Sequence, residues 1–243
     1  MPINYAVNFE KEFVDWDNLF EFLNQFPLFH NKKIQSKFLN SWKKQIISSE
    51  KTSYQNFTNF DFNKEYFPLK ILFGTQWLGW SCLLIDKIEE ILFNGQESPC
   101  KIPTSHFLDE AEHLKGKDFF EPTSKIIYHP SSFGLFSYIP ILIFSPHFPF
   151  PCSRVIDGNH RVKTAISENH PDISGYLLTE GFFFNHPEIF ADEFSRTIFL
   201  FCYDLSNFVH KNYFSDRFLP LRFNKKIERE STLFQLLEIS WLQ

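Results

Sequence analysis

The chain contains four cysteines, Cys82, Cys100, Cys152 and Cys202, and no two of them form a CxxC pair. That excludes a zinc ribbon and a thioredoxin-like redox motif, and makes reduced, cytoplasmic thiols the expectation. Positive charge is not in excess either. With 24 Lys and Arg against 29 Asp and Glu the net charge is −5, so no global attraction draws the protein to nucleic acid, and only local basic patches remain for that role. The first residues, MPINYAVNFEKEFVDW, lack a basic segment followed by an apolar run, so no secretory signal is expected. Long apolar runs are missing as well. The stretch 133–151 is broken by Pro140, Pro146, Pro149 and Pro151 and contains His147, while 194–209 is short and holds Arg196 and Asp204. No membrane-spanning helix is expected from either. Internal repeats and charged low-complexity tracts are also absent.

What the chain does have is apolar bulk. Hydrophobic residues make up 43% of 243, enough for one large domain or two small ones with a sizeable core. Phenylalanine dominates it, with 33 Phe against one Met and eight Gly. Phe brings few rotatable bonds per buried area and favours edge-to-face packing. Exposed Phe clusters would instead mark a partner surface.

Helical spacing of Trp16, Leu19, Phe20, Leu23 and Phe26 stops at Pro27, and Ile34, Phe38, Leu39, Trp42 and Ile46 resume it, which predicts two helices within 14–50. Lys32, Lys33, Lys37, Lys43 and Lys44 make the second basic, read as a solvated face, with a nucleic-acid contact as the sharper alternative. Residues 51–67 read as a loop. Pro68 then opens a predicted long helix to about Phe93, with Leu69, Leu72, Trp77, Trp80, Leu84, Ile88 and Leu92 on its buried side. The segment 95–99, GQESP, ends it and marks a boundary. Beyond it a short strand at Ile102 and a helix over 106–115, capped by Ser105, are predicted, with His106, Glu110 and His113 on one face where a metal is geometrically possible. Residues 116–138 read as a loop with an edge strand at Ile126–Tyr128, and 145–153 as an irregular segment whose His147 and Ser153 can line a pocket. Residues 181–217 read as one or two helices, and Leu233, Leu236, Leu237 and Trp241 as a last one.

The most informative stretch is 154–169, RVIDGNHRVKTAISEN. Val155 and Ile156 form a β-branched pair that stops at the turn signal Asp157-Gly158, after which Val162, Ala165 and Ile166 fall at helical spacing. Strand, tight turn and helix follow in order. Asp157 or Asn159 can cap the helix, and its first turn presents unpaired backbone N–H groups with His160, Arg161 and Lys163 close by. A helix N-terminus with added cations is an anion site, most commonly for phosphate. The ordinary alternative is a plain capped connection.

The order Asp157, Gly158, Asn159, His160, Arg161, with Ala165 following, resembles the DGxHR box of the ParB/sulfiredoxin-like superfamily. KIPTSHFLDE (101–110) resembles that domain's first strand and helix, IPILIF (139–144) the strand before the box, and ISGYLL (173–178) the strand after its helix. The likeness covers about 98–180. Sulfiredoxins carry a cysteine immediately before the box histidine, where this chain has Asn159, so thiol chemistry is not expected. Chromosome-partition members have a second arginine in place of His160 and a helix-turn-helix domain that is not found here. The DGxHR form looks closer to free-serine kinases and to DNA-modification-associated members.

The resemblance implies an α+β fold: a small mixed β-sheet core at 98–180 embedded in a helical N-terminal region, 1–97, and a mainly helical C-terminal region, 181–243, packed on the rest. It also implies a nucleotide- or phosphate-binding protein, a phosphotransferase or nucleotide hydrolase using ATP or another NTP with Mg²⁺. Gly158, Asn159, His160, Arg161 and Lys163 would hold phosphate. Asp157 would bind Mg²⁺ through water or orient His160, His160 would donate to the transferring phosphoryl group, and an acid near the first strand, Asp109, Glu110 or Glu112, would be the general base, with Glu110 preferred. A DNA-acting nuclease or modification component and a non-catalytic interaction or regulatory protein are the alternatives, because a fold does not fix a chemistry. A buried box with Arg161 paired internally would favour the last of these.

Overall fold

The computed structural model describes residues 14–56, 64–73, 76–95, 97–113, 123–129, 137–146, 152–213 and 220–235. The fold is α+β. In chain order its elements are α1 (Trp16–Gln25), α2 (Lys32–Asn56), β1 (Tyr66–Phe73), β2 (Gln76–Leu84), α3 (Ile85–Asn94), β3 (Cys100–Pro103), β4 (Phe107–Asp109), α4 (Glu110–His113), β5 (Ile126–Tyr128), β6 (Ile141–Phe144), β7 (Ser153–Asp157), α5 (Asn159–Ser167), β8 (Asp172–Leu178), α6 (Glu180–Asn185), α7 (Glu193–His210), α8 (Pro220–Glu230) and α9 (Thr232–Gln235). They divide into two compact units, 85–187 and a discontinuous one made of 1–84 with 188–243. The sheet-bearing unit therefore begins earlier and ends later than 98–180, taking in α3 and α6.

The discontinuous unit is built on aromatic packing. Asp15 caps α1 through the Asn18 N–H, and α1 buries Trp16, Leu19, Phe20 and Leu23. The Phe29 ring is fully buried and meets the rings of Phe38, Phe208, Tyr213 and Phe223 at centroid distances of 5.2–6.1 Å, mostly tilted or edge-on. Among the described residues Phe22 and Phe93 are the large exposed Phe side chains.

Two predicted segments of this unit come out differently. Helix α2 continues to Asn56, into the stretch read as a loop. The long helix predicted from Pro68 is instead an antiparallel hairpin, β1 with β2, followed by the much shorter α3. Leu69, Ile71 and Phe73 are buried while Lys70 between them is exposed, the two-residue period of a strand. Across the hairpin Lys70 pairs with Trp80, its ammonium 5.9 Å from the ring centroid. Pro68 is tolerated because a two-stranded sheet leaves β1 an unpaired side. Gly79, at φ +134°, supplies a conformation other residues rarely adopt, opposite Ile71 at a register irregularity. Of the residues that mark the last predicted helix, Leu233 lies in α9, and Leu236, Leu237 and Trp241 lie outside the described residues.

The unit 85–187 holds a six-stranded mixed sheet in the order β3-β8-β6-β7-β5-β4. Strands β4, β5 and β7 run parallel to one another, and β6 is antiparallel to β7 and parallel to β8. Ile141, Ile143, Val155 and Ile173 from the sheet and Val162 and Ala165 from α5 share one core cluster. Strand β5 is not the edge strand its isolation in sequence suggested: it lies between β7 and β4 and all three of its residues are buried. The helix predicted over 106–115 is also replaced. Thr104–His106 make a 3₁₀ turn, β4 follows, and Glu110–His113 are helical, with 114–115 outside the described residues. With a strand between them, His106, Glu110 and His113 do not share a helix face, which removes the metal geometry proposed for them.

Candidate functional site

Parallel strands end at the same sheet edge, and loops there collect residues from distant parts of the chain. At the carboxyl end of β4 stands Glu110, one residue beyond β5 stands His129, and β7 ends at Asp157 and turns through Gly158 into α5.

The turn is held by its own side chains. Gly158 sits at φ 89°, ψ 21° as the N-cap residue of α5, and no side chain caps the helix. The expected caps are engaged elsewhere. Asp157 pairs with the Nη2 of Arg161, and the Asn159 Oδ1 accepts the backbone N–H of His129 at 2.8 Å. Arg161 also donates through Nη1 to the carbonyls of Ile139, at 2.8 Å, and Pro140, at 3.2 Å. Its side chain is 6% exposed. Glu89 on α3 belongs to the same charge cluster: burial raises its pKa, Asp157 and Asp86 add to the rise, and Arg161 opposes it.

Arg161 therefore locks the turn from inside rather than presenting a guanidinium to solvent. The carboxylate of Asp157 already has a cation on it, so the pair does not fit a Mg²⁺ held by Asp157. Among the described residues no group of three or more His, Cys, Asp or Glu side chains is arranged to hold a metal.

The outer side of the edge is more open. The first intrahelical bond of α5 runs from Val162 N to Gly158 O, at 3.1 Å, so the N–H groups of Asn159, His160 and Arg161 precede the regular ladder. His160 is exposed and Lys163 half-buried on that helix.

Glu110 connects the other two strands. Its Oε1 accepts from Arg154 Nη1 at 2.5 Å, and its Oε2 lies 2.9 Å from His129 Nδ1. Burial alone would raise the Glu110 pKa, but the hydrogen bonds and charges of Arg154 and His129 outweigh it and hold the carboxyl below its ordinary value. Neither other acid matches this placement: the Asp109 Oδ1 accepts the Ala111 N–H at 2.8 Å, and Glu112 is exposed.

Sequence reasoning did not single out His129, which follows an apolar triplet inside a segment read as loop; the end of that triplet is the only signal that could have found it. Ser153 shares a 3.1 Å hydroxyl contact with Ser145, and His147 lies outside the described residues. Burial pushes the Cys152 thiol up, with Arg154 opposing, which disfavours thiolate chemistry here. Cys82 and Cys202 are both pushed up to about 12 by burial.

Among the described residues no helix is long and apolar enough to cross a membrane. Comparison with family models, with curated proteins and with solved structures finds no match for this chain.

Proposed function

We propose that residues 85–187 form a nucleotide-binding module of the ParB/sulfiredoxin kind that works as a phosphotransferase or nucleotide hydrolase. The observation that carries this reading is the convergence, at one carboxyl edge, of the uncapped first turn of α5 with Glu110 and His129. In it the phosphates lie against the amides of Asn159 and His160, where unpaired N–H groups and the helix dipole favour negative charge. His160 and Lys163 add donors from the same helix. Arg161 and Gly158 act one layer deeper, fixing the turn that presents those amides. Catalysis at such a site is mainly positioning and charge stabilisation.

Calorimetric titration with ATP, ADP and CTP in Mg²⁺ buffer tests the reading. The expected result is saturable heat with at least one nucleotide, weakened about tenfold by Lys163→Glu, the factor that corresponds to about 1.4 kcal/mol. No heat with any of the three abandons it.

One observation favours a second reading. Arg161, the residue the resemblance assigns to phosphate, is paired internally, as it would be where the box only holds the fold and the module acts as a non-catalytic interaction or regulatory protein. A chain that binds no nucleotide but keeps its stability in His160→Ala is the result this second reading expects.

A further inference from the structure

A carboxylate whose pKa is held low is a poor proton acceptor at neutral pH, so Glu110 is badly suited to be the general base of the edge it occupies. It is well suited to orient one. Its Oε1 is fixed by Arg154, and its Oε2 faces the Nδ1 of His129 at 2.9 Å. The exposures run the same way: the side chains of Glu110 and Arg154 are 18% and 23% exposed, while that of His129 is 58% exposed. The backbone of His129 is fixed in turn, because its N–H donates to Asn159 Oδ1 at 2.8 Å, which joins the imidazole-bearing residue to the first residue of α5. Three parallel strands thus supply, in order, a carboxylate, an imidazole and the guanidinium that steadies the carboxylate, with the imidazole outermost.

We propose that His129 is the catalytic acid–base of this site, and that Glu110 and Arg154 are its positioning residues. The proposal rests on the reading that this edge binds a nucleoside triphosphate. For the transfer step the Nδ1 of His129 donates to Glu110, which leaves Nε2 as the proton acceptor. The attacking hydroxyl, of water or of an alcohol acceptor, gives its proton to Nε2 while its oxygen forms a bond to the terminal phosphorus. The bond from that phosphorus to the bridging oxygen breaks, and the nucleoside diphosphate leaves with the electron pair. The imidazolium so formed lies against the ionised Glu110, and returns its proton to solvent before the next turnover. The carboxylate of such a pair acts by fixing the histidine tautomer, without itself taking up the proton.

The test uses the full chain with Mg·ATP and reads nucleotide affinity by calorimetry and phosphate release across pH 5–9. Water is the acceptor present in the assay, so phosphate release is the readout. The expected result is that His129→Asn binds ATP within about threefold of wild type and loses about 10²–10⁴-fold in kcat, the usual worth of a positioned acid–base group. Glu110→Ala is expected to lose less and to change the pH profile. Nitrogen-15 NMR of histidine-labelled protein, with His129 assigned from the His129→Asn spectrum, is expected to show the Nδ1–H tautomer in wild type and a tautomer mixture in Glu110→Ala. Wild-type turnover by His129→Asn, or ATP that binds but is never cleaved, overturns the proposal and leaves the binding reading standing. An unchanged tautomer in Glu110→Ala overturns the role of Glu110. A wild-type chain that binds no nucleotide removes the binding reading, and the proposal with it.

Discussion

Gly158 and Arg161 share a space that only a glycine leaves open: a Cβ at 158 would stand 2.9 Å from the Arg161 Nε, 3.0 Å from its Nη2 and 2.4 Å from Cγ2 of Ile141. The backbone there is also left-handed, at φ 89°. Gly158→Ala therefore meets a conformational cost of about 1–2 kcal/mol for a left-handed L-residue and an overpacking cost of about 1–3 kcal/mol. Urea denaturation should show a loss of about 2–5 kcal/mol by that sum. An unshifted midpoint would contradict the packing described for the turn.

Arg161 carries the complementary prediction. Its guanidinium answers Asp157 and two backbone carbonyls, so Arg161→Met leaves a largely buried carboxylate without its cation. Removing one partner of a buried pair costs about 3–5 kcal/mol, and the partial exposure of Asp157, 15%, places the expected loss nearer 3 kcal/mol, at the lower end of that range. The double variant Asp157→Asn, Arg161→Met should recover part of it, read as a coupling energy in the thermodynamic cycle. Strict additivity would show that the pair does not act as a unit.

These two residues also show how far the sequence could be read. The switch from a β-branched pair to helical spacing at Asp157-Gly158 is local, so β7, the turn and α5 were legible, as were the flanking β6 and β8. Burial of Arg161 was not, because the carbonyls of Ile139 and Pro140 come from a segment some 22 residues away. The same limit applies to β1 and β2: Leu69, Leu72, Trp80, Leu84 and Ile88 satisfy a helical repeat on paper, and only cross-strand pairing decides for the hairpin. Strand order is likewise non-local, which is why β5 read as an edge strand and His129 beyond it went unnoticed. Glu110 was found through resemblance, but its low pKa, and hence its unsuitability as the base, depends on Arg154 and His129, which no spacing links to it.

Gln35 gives a test in the other unit. Wholly buried, it donates from Nε2 to the carbonyls of Leu23, Asn24 and Phe26 at 2.8–3.1 Å, and its Oε1 accepts the N–H of Phe29 at 3.0 Å, closing the connection from α1 to α2. Gln35→Glu keeps the shape and turns the donor into another acceptor facing three carbonyls. Leaving buried polar groups unpaired costs about 1–3 kcal/mol each, and more when one is charged, so a loss of at least about 3 kcal/mol is expected at neutral pH. Acidification should return part of it, since the introduced carboxyl, once protonated, can again donate one bond. Equal stability of variant and wild type by urea denaturation would count against the staple.

Asp204 on α7 is fully buried, and its carboxylate joins α2 to the start of α9. It accepts from the Trp42 Nε1 at 3.2 Å, from the Thr232 N–H at 2.8 Å and the Thr232 hydroxyl at 2.9 Å, and from the Ser231 hydroxyl. Burial pushes its pKa up to about 6 from 3.8, against the pull of the donors from Ser231, Thr232 and Leu233. The folded protein thus binds a proton more readily than the unfolded chain, so this group's contribution to stability is largest below about pH 4 and declines as pH rises through about 6. At 1.36 kcal/mol per pH unit, the rise from 3.8 to about 6 corresponds to roughly 3 kcal/mol between those limits. Asp204→Asn removes the titration. Its amide also sets a donor against either the Trp42 or the Thr232 N–H, a cost of about 1–3 kcal/mol that does not vary with pH. Urea midpoints of wild type and Asp204→Asn at pH 4.5, 6 and 8 should therefore differ most in favour of wild type at the acid end, with the gap narrowing or reversing at pH 8. A gap that stays constant across the three pH values would show that Asp204 does not titrate in this range.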